Sequence, residues 1–416
     1  MDERKHFLSN NSNKKKKKNK KQHISFLNKN SNKSNVNISI IHIILFFLLI
    51  LTSMILIIKI INASKNLNEA NNQNNMNNNT ISYDIDINTI AKKEIDINYF
   101  LDQKRKYKRL FLFKEDIIEN FNKNQIHISM AIDNNYTYPT LVSMTSILEN
   151  NNKDKNIIIF HMLLSYNYNK SYIEIFESLK NNYEVKINYY LIPNIFQNLR
   201  TWSSQTYTVY FKILLPLILP DLKRIIYIDS DTLTFKDLLE MFILPFNDNY
   251  VLGYPFQDVQ KIDRFVKNAK TYINGGVLLF NIEKIRKENK DIELLKFTFE
   301  NNADLWFLEQ DSINVVFFQK IGLLPLKYGI YLYGDMKTYE NYYEKRLRIK
   351  LNKDELKNAM DDPSLVHLSC CNPKVWNKNS RNDFGMTSIC DKFRKDFYFY
   401  ANKTKYYNEI YNKYMK

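Results

Sequence analysis

The stretch Arg224-Ile225-Ile226-Tyr227-Ile228-Asp229-Ser230-Asp231 constrains this chain more than any other. A short apolar run, fit for a buried strand, stops at two carboxylates one residue apart. Side chains alternate along an extended segment, so Asp229 and Asp231 point the same way. Two hard oxygen ligands at the carboxyl end of a strand suit a divalent cation that itself carries phosphates. That is the chemistry of nucleotide-sugar transfer. Asp84-Ile85-Asp86 repeats the spacing in a polar, asparagine-rich stretch, so the choice between the two pairs rests on their surroundings.

Those surroundings alternate between strand and helix. Ile126 to Ile132 has strand alternation, Asp133-Asn134-Asn135-Tyr136 breaks it, and Tyr138 to Asn150 carries Leu141, Met144, Thr145 and Leu148 at helical spacing. Ile157 to Leu164 reads as a strand, Ser171 to Asn181 as a helix, and Glu184 to Ile192 as a strand. Thr208 to Leu219 reads as a helix interrupted at Pro216. Such alternation predicts an α/β fold, a parallel sheet with helices on its faces. Right-handed connections then leave ligands at the strand carboxyl ends, where Asp133, Asp229 and Asp231 share one rim. Further on, Val251 to Tyr254 is a short strand, and Tyr272 to Asn281 is a turn followed by an apolar strand. Glu309-Gln310-Asp311 opens a helix whose dipole Asp311 suits. Residues 100–125 read as a helical lead-in and Phe393 to Tyr411 as an aromatic-rich helix, while residues 331–362 show no period.

The net charge of +16 is uneven. Residues 1–36 hold Arg4, Lys5, Lys14 to Lys18, Lys20, Lys21, Lys29 and Lys33 against Asp2 and Glu3. Ile38 to Ile58 follows as an apolar run, long enough to cross ~30 Å of hydrocarbon at ~1.5 Å per residue. A basic run before an apolar run reads as membrane topology, with the lysine-rich side cytosolic. A type II signal anchor is therefore expected, with the body in the Golgi or ER lumen; a signal cleaved near Asn62-Ala63-Ser64 is the competing reading. No nucleic-acid partner is expected. The expected organisation is a basic tail (1–37), an anchor (38–61), an asparagine-rich stem and lead-in (62–124), the globular domain (125–380) and a helical tail (381–416). Cys370, Cys371 and Cys390 make no disulfide framework and no zinc spacing; a lumenal chain permits one bridge from Cys390 to either of the pair.

Five blocks in order resemble family-8 glycosyltransferases, the family of lipopolysaccharide galactosyl- and glucosyltransferases, glycogenin and plant galacturonosyltransferases. They are Met130-Ala131-Ile132-Asp133-Asn134-Asn135-Tyr136, Leu214 to Pro220 with Tyr227 to Leu233, Ile273-Asn274-Gly275-Gly276-Val277-Leu278-Leu279, Glu309-Gln310-Asp311-Ser312-Ile313-Asn314, and His367 to Trp376. The resemblance covers about residues 125–380. It implies a GT-A (Rossmann-like) fold, a UDP-sugar donor, a glycan, lipid or protein acceptor, Mn²⁺ or Mg²⁺, and retention of anomeric configuration.

By the same resemblance, Asp229, Asp231 and His367 hold the metal, and Lys374 neutralises the departing diphosphate. Ala131, Asp133, Tyr136, Ser230 and Gly275 belong to the donor site, and Asn274 faces sugar or acceptor. Gln310 lies under the anomeric carbon, with Asp311 beside it. An amide is a poor nucleophile, which favours front-side transfer with Gln310 as stabiliser. The chain departs from the family pattern in places. Tyr210 stands near the family's arginine, with Lys212 as a possible substitute at the donor. Glu309 is one methylene longer than the usual Asp, and the closing motif has Cys370 for glycine and Val375 for proline. These departures leave a second reading, a degenerate fold acting as a non-catalytic membrane-tethered module.

Overall fold

The computed structural model describes residues 111–116, 122–202, 206–256, 262–269, 271–331, 344, 352–382 and 388–416. The apolar run Ile38 to Ile58, the stem and the Asp84/Asp86 pair lie outside these residues. Among the described residues no helix is long and apolar enough to cross a membrane.

The strands in chain order are β1 (Leu112–Lys114), β2 (Asn124–Ile132), β3 (Asn156–Ser165), β4 (Val185–Ile192), β5 (Ile225–Ile228), β6 (Thr232–Thr234) and β7 (Val251–Pro255). They continue with β8 (Ile273–Phe280), β9 (Ile321–Leu323), β10 (Tyr328–Tyr331), β11 (Leu365–His367), β12 (Cys371–Asn372) and β13 (Arg381–Asn382). Among the described residues the α-helices of two turns or more are α1 (Thr137–Glu149), α2 (Lys290–Asn301), α3 (Glu309–Val316), α4 (Lys353–Asp361), α5 (Ser388–Ala401) and α6 (Tyr407–Met415). An eight-stranded sheet runs β1-β4-β3-β2-β5-β8-β7-β9. Every residue of β3 and of β8 is buried, as befits strands covered on both faces. The pleat divides the core: Ile226 and Ile228 pack with Ile128 and Phe160 on one face. Ile225 and Tyr227 pack with Leu163 and Tyr190 on the other.

The sheet is mixed rather than wholly parallel. β2 to β5 are parallel, but β8 runs antiparallel to β5 and β7, and β1 antiparallel to β4. Burial on both faces fixes what a strand is made of, not its direction. Much of the expected lead-in helix, residues 100–110 and 117–121, lies outside the described residues; within it Leu112–Lys114 form the edge strand β1. Pro216 sits in the first turn of a short helix, Leu215–Ile218, where its missing N–H is harmless, so it opens that helix rather than interrupting one. Asn274, Gly275 and Gly276 lie inside β8, not in a turn before it.

A second sheet, β10-β11-β6, builds the site. β6 pairs antiparallel with β11, placing His367 opposite Thr232. Helix α1 is tied to the Ser230–Thr234 segment through small hydroxyls. Thr140 donates to Ser230 at 2.7 Å, Ser143 and Thr232 share a bond of 2.9 Å, and Ser146 accepts from the Thr234 amide at 3.0 Å. The Cys371–Cys390 disulfide ties β12 to α5. Phe393, Phe397, Tyr400 and Ile410 bury the tail helices against the domain.

Candidate functional site

Asp229 leaves β5, Asp231 enters β6 and His367 ends β11. One ligand atom from each lies within 4.8 Å of the others. His367 Nε2 is 3.1 Å from Asp231 Oδ1 and 3.8 Å from Asp229 Oδ2. The backbone fixes this geometry: the Asp229 amide donates to the Gly276 carbonyl at 2.8 Å and the Leu368 amide to the Asp231 carbonyl at 2.7 Å. The Tyr254 hydroxyl sits 2.7 Å from His367 Nδ1. A phenol both donates and accepts, so Tyr254 serves the imidazole whichever nitrogen carries the proton, including the tautomer with Nε2 open to a metal. Asp231 and His367 are buried and Asp229 is half-exposed, which leaves one open side.

Burial alone would raise the Asp231 carboxyl, but Lys374 and His367 override it and hold Asp231 well below the usual range. Lys374 Nζ lies 2.5 Å from Asp231 Oδ2. Two carboxylates and an imidazole converging on an open side, with a cation already drawn to them, fit a divalent ion taking mixed oxygen and nitrogen ligands. Gly276 is required here by close approach. A Cβ at that position would stand 2.2 Å from His367 Cε1 and 2.6 Å from Asp229 Oδ2.

Behind the carboxylates lies Lys212. Expected at the donor site, it is buried. Its ammonium donates to Glu309 Oε1 and to the Gly275 carbonyl, each at 2.9 Å, and stands 3.6 Å from Asp229 Oδ1. Burial would lower its pKa, but Asp229 and Glu309 reverse that and raise it. The extra methylene of Glu309 lets its carboxylate meet Lys212. Tyr210 is core: its hydroxyl donates to the Arg200 carbonyl and accepts from Asn302. Tyr227 completes the support, donating to Asp229 Oδ1 at 2.8 Å.

Gln310 is locked by a relay. The Gly275 amide donates to its Oε1 at 2.7 Å, and its Nε2 donates to the Tyr272 hydroxyl at 3.0 Å. Tyr272 in turn donates to Asp311 Oδ1. Each donor in the chain has one direction, so the amide orientation of Gln310 is determined. Asp311, expected beside the reacting centre, has its carboxylate occupied by Tyr272 and the Phe307 amide and is 1% exposed. Asn274 Oδ1 accepts from the Gly276 amide at 2.6 Å.

β2 and β5 are parallel, so Asp133 follows β2 on the same rim as Asp229; its Oδ1 accepts from the amides of Asn135 and Tyr136, holding the loop as a tight turn. Ala131 is half-buried near the end of β2, and Ser230 accepts from Thr140. Tyr136 meets Trp376 edge to face at 6.0 Å, and burial pushes its hydroxyl up to about 12. Sequence reasoning missed Tyr254, Tyr227, Tyr272 and Asn314. The tyrosines were lost among 29. Asn314, which clamps both backbone groups of Ile273, stood in the quoted motif without a role.

The family model described as glycosyl transferase family 8 matches residues 127–380, more than half of the chain. The chain belongs to that family. It is a glycosyltransferase, of a family that is retaining and typically depends on divalent metal. General stress protein A of Bacillus subtilis is 24% identical over 221 residues, 51% of this chain and 71% of that protein. Glucoside xylosyltransferase 2 of Xenopus laevis is 26% identical over 160 residues, 32% of this chain and 37% of its own length. Among solved structures, the galactosyltransferase LgtC in complex with donor and acceptor sugar analogs matches with a TM-score of 0.53 at 17% identity. That match covers 67% of this chain and 96% of LgtC. The bifunctional glycosyltransferase WbbM matches with a TM-score of 0.53 at 21% identity, over 71% of this chain and 53% of its own. These structural likenesses establish a shared GT-A-like fold.

Proposed function

We propose that this glycosyltransferase moves a hexose, galactose or glucose, from a UDP-linked donor to a glycan, glycolipid or protein acceptor with Mn²⁺ as its ion. One observation carries the reading. The Asp229–Asp231–His367 centre and the locked Gln310 amide meet across two consecutive residues of one strand, Gly275 and Gly276. A bound divalent cation, held by Asp229, Asp231 and His367, would offset charge on the departing diphosphate. Lys374 supplies a second positive charge beside Asp231, and Tyr136 offers a ring face at the nucleoside end. Gln310, positioned through Tyr272 and Asp311, presents its carbonyl dipole where positive charge develops on the sugar. An amide is a poor nucleophile, which favours entry of the acceptor from the leaving-group side.

The chain is further proposed to be a type II membrane protein of the Golgi or ER, anchored by Ile38 to Ile58. The buried Cys371–Cys390 disulfide favours an oxidising lumen. The test is a screen of UDP-hexoses for UDP release by the full chain in detergent with Mn²⁺, beside calorimetric UDP titration. Gln310→Ala should lower turnover while UDP affinity persists, because transition-state contacts set rate and not ground-state binding. His367→Ala should weaken both. Failure of every nucleotide sugar to turn over would end the donor assignment, and protease digestion of the body from outside intact microsomes would end the lumenal one.

A further inference from the structure

Trp202 and Trp306 are two of the chain's three tryptophans, and they are 39% and 51% exposed. The third, Trp376, is buried. The Trp202 ring and the Trp306 backbone are both tied down. The Trp202 indole N–H donates to the Trp306 carbonyl at 3.1 Å, and its ring stacks on Phe307 at 5.9 Å. With its N–H engaged, what Trp202 turns outward is carbon surface. Arg200 braces the pair, bonding Asn302 and the Leu305 carbonyl. From the other side, the amides of Phe307 and Trp306 both donate to the Asp311 carboxylate. Leu308, at φ 54°, then turns the chain into α3 and Gln310.

The platform is therefore continuous with the reacting centre. Phe307 packs edge-on to Tyr272 at 6.2 Å, and the Tyr272 hydroxyl accepts from Gln310. Asp311 braces both the aromatic loop and the Gln310 relay. The rim beside the rings is polar, with an exposed Arg264–Asp304 ion pair at 3.1 Å. A pyranose matches this surface: its axial C–H face packs on an indole, and its hydroxyls meet a wet polar rim. An acyl chain would strip water from that rim without replacing its hydrogen bonds.

We infer that Trp202 and Trp306 form a stacking subsite for an oligosaccharide acceptor, gripping the sugar beyond the one that reacts at Gln310. The inference rests on the transferase reading above. It makes acceptor length the specificity determinant: a disaccharide reaches the rings and a monosaccharide does not.

The test uses the full chain with Mn²⁺ and its best UDP-hexose. Lactose, cellobiose and maltose are compared as acceptors with methyl β-galactoside, methyl β-glucoside and methyl α-glucoside. A disaccharide should exceed its monosaccharide by roughly tenfold in kcat/KM, the scale of one good ring contact. Trp202→Ala and Trp306→Ala should each raise the disaccharide KM until that preference disappears, while donor hydrolysis and UDP affinity hold within about twofold. Trp306→Tyr, which keeps a ring, should retain most of the preference. Tryptophan fluorescence, titrated with the same sugars in the absence of donor, should respond to the disaccharides through these two exposed rings.

Unchanged disaccharide preference in both alanine variants would overturn the inference. So would wild-type protein that hydrolyses donor but neither prefers a disaccharide nor changes fluorescence with one, or that transfers only to peptide or lipid. A disaccharide fluorescence response with no turnover of any UDP-sugar would instead count against the donor reading alone.

Discussion

Gly276→Ala is the sharpest test of how the centre is built. The new methyl carbon would lie 2.2 Å from His367 Cε1, 2.8 Å from His367 Nδ1 and 2.6 Å from Asp229 Oδ2, where real Cβ contacts essentially never fall below 3.0 Å. Both clashing residues are candidate ligands, and both are pinned. His367 is bonded to Tyr254, and the Asp229 backbone is bonded to the Gly276 carbonyl. Overpacking of this kind costs about 1–3 kcal/mol when neighbours yield. Metal geometry tolerates only about 0.2 Å of ligand movement, so the larger effect falls on the ion. Displaced support typically lowers metal affinity about 10–100-fold, and Gly276→Ala should reach at least the lower figure. Gly275→Ala is the control. Its Cβ would meet nothing closer than 3.4 Å, an ordinary contact, so Mn²⁺–UDP binding should stay within about threefold. The assay is calorimetric titration of Mn²⁺ and UDP into each variant, with circular dichroism and thermal melting to establish folding. A folded Gly276→Ala protein that binds Mn²⁺–UDP with wild-type affinity would refute the geometry argued for the site.

Tyr254→Phe removes the hydroxyl that orients His367 and should cost about tenfold or more in Mn²⁺ affinity with little change in melting temperature, measured by titration. Lys212→Met strips the cation from buried Glu309 and half-exposed Asp229 and should destabilise by about 3–5 kcal/mol in urea unfolding. In that variant Glu309, already raised by burial, rises further, so stability should fall as pH climbs above the ordinary glutamate range; pairing with Glu309→Gln should recover much of the loss. At the β1 edge, burial acts to raise the Asp116 and Glu177 carboxyls, but Lys180 and Lys114 hold both below their ordinary values of 3.8 and 4.5. Folded pKa values below the unfolded ones mean stability that is present above about pH 5 and lost as pH falls through that range. The drop in urea midpoint between pH 6 and pH 3 should be smaller in Asp116→Asn than in wild type.

Local pattern was enough to read the first half of the domain. β2, α1, β3, β4 and β5 follow from alternation and helical spacing, because each buries a periodic face. The same reading located Asp229 and Asp231, since a carboxylate pair ending an apolar strand is a one-dimensional feature. Motif order led to His367, Gln310 and Gly276. What sequence could not supply was anything set by pairing between distant segments. The direction of β8 depends on which neighbour it meets, and a fully buried strand looks alike in either direction. The β6–β11 pairing, which brings His367 to an aspartate 136 residues away, rests on three-residue strands too short to announce themselves. Lys212 reads as a basic residue in an apolar run; only the fold reveals it as the buried counter-charge to Asp229 and Glu309. Asp311 reads as a helix-dipole acid or a catalytic one, and packing makes it the brace of the Gln310 relay and the tryptophan loop. Residue type and spacing determine which chemistry a chain can perform, because they fix local conformation and donor atoms. The partner each group meets is a long-range contact, and that is decided only when the chain closes on itself.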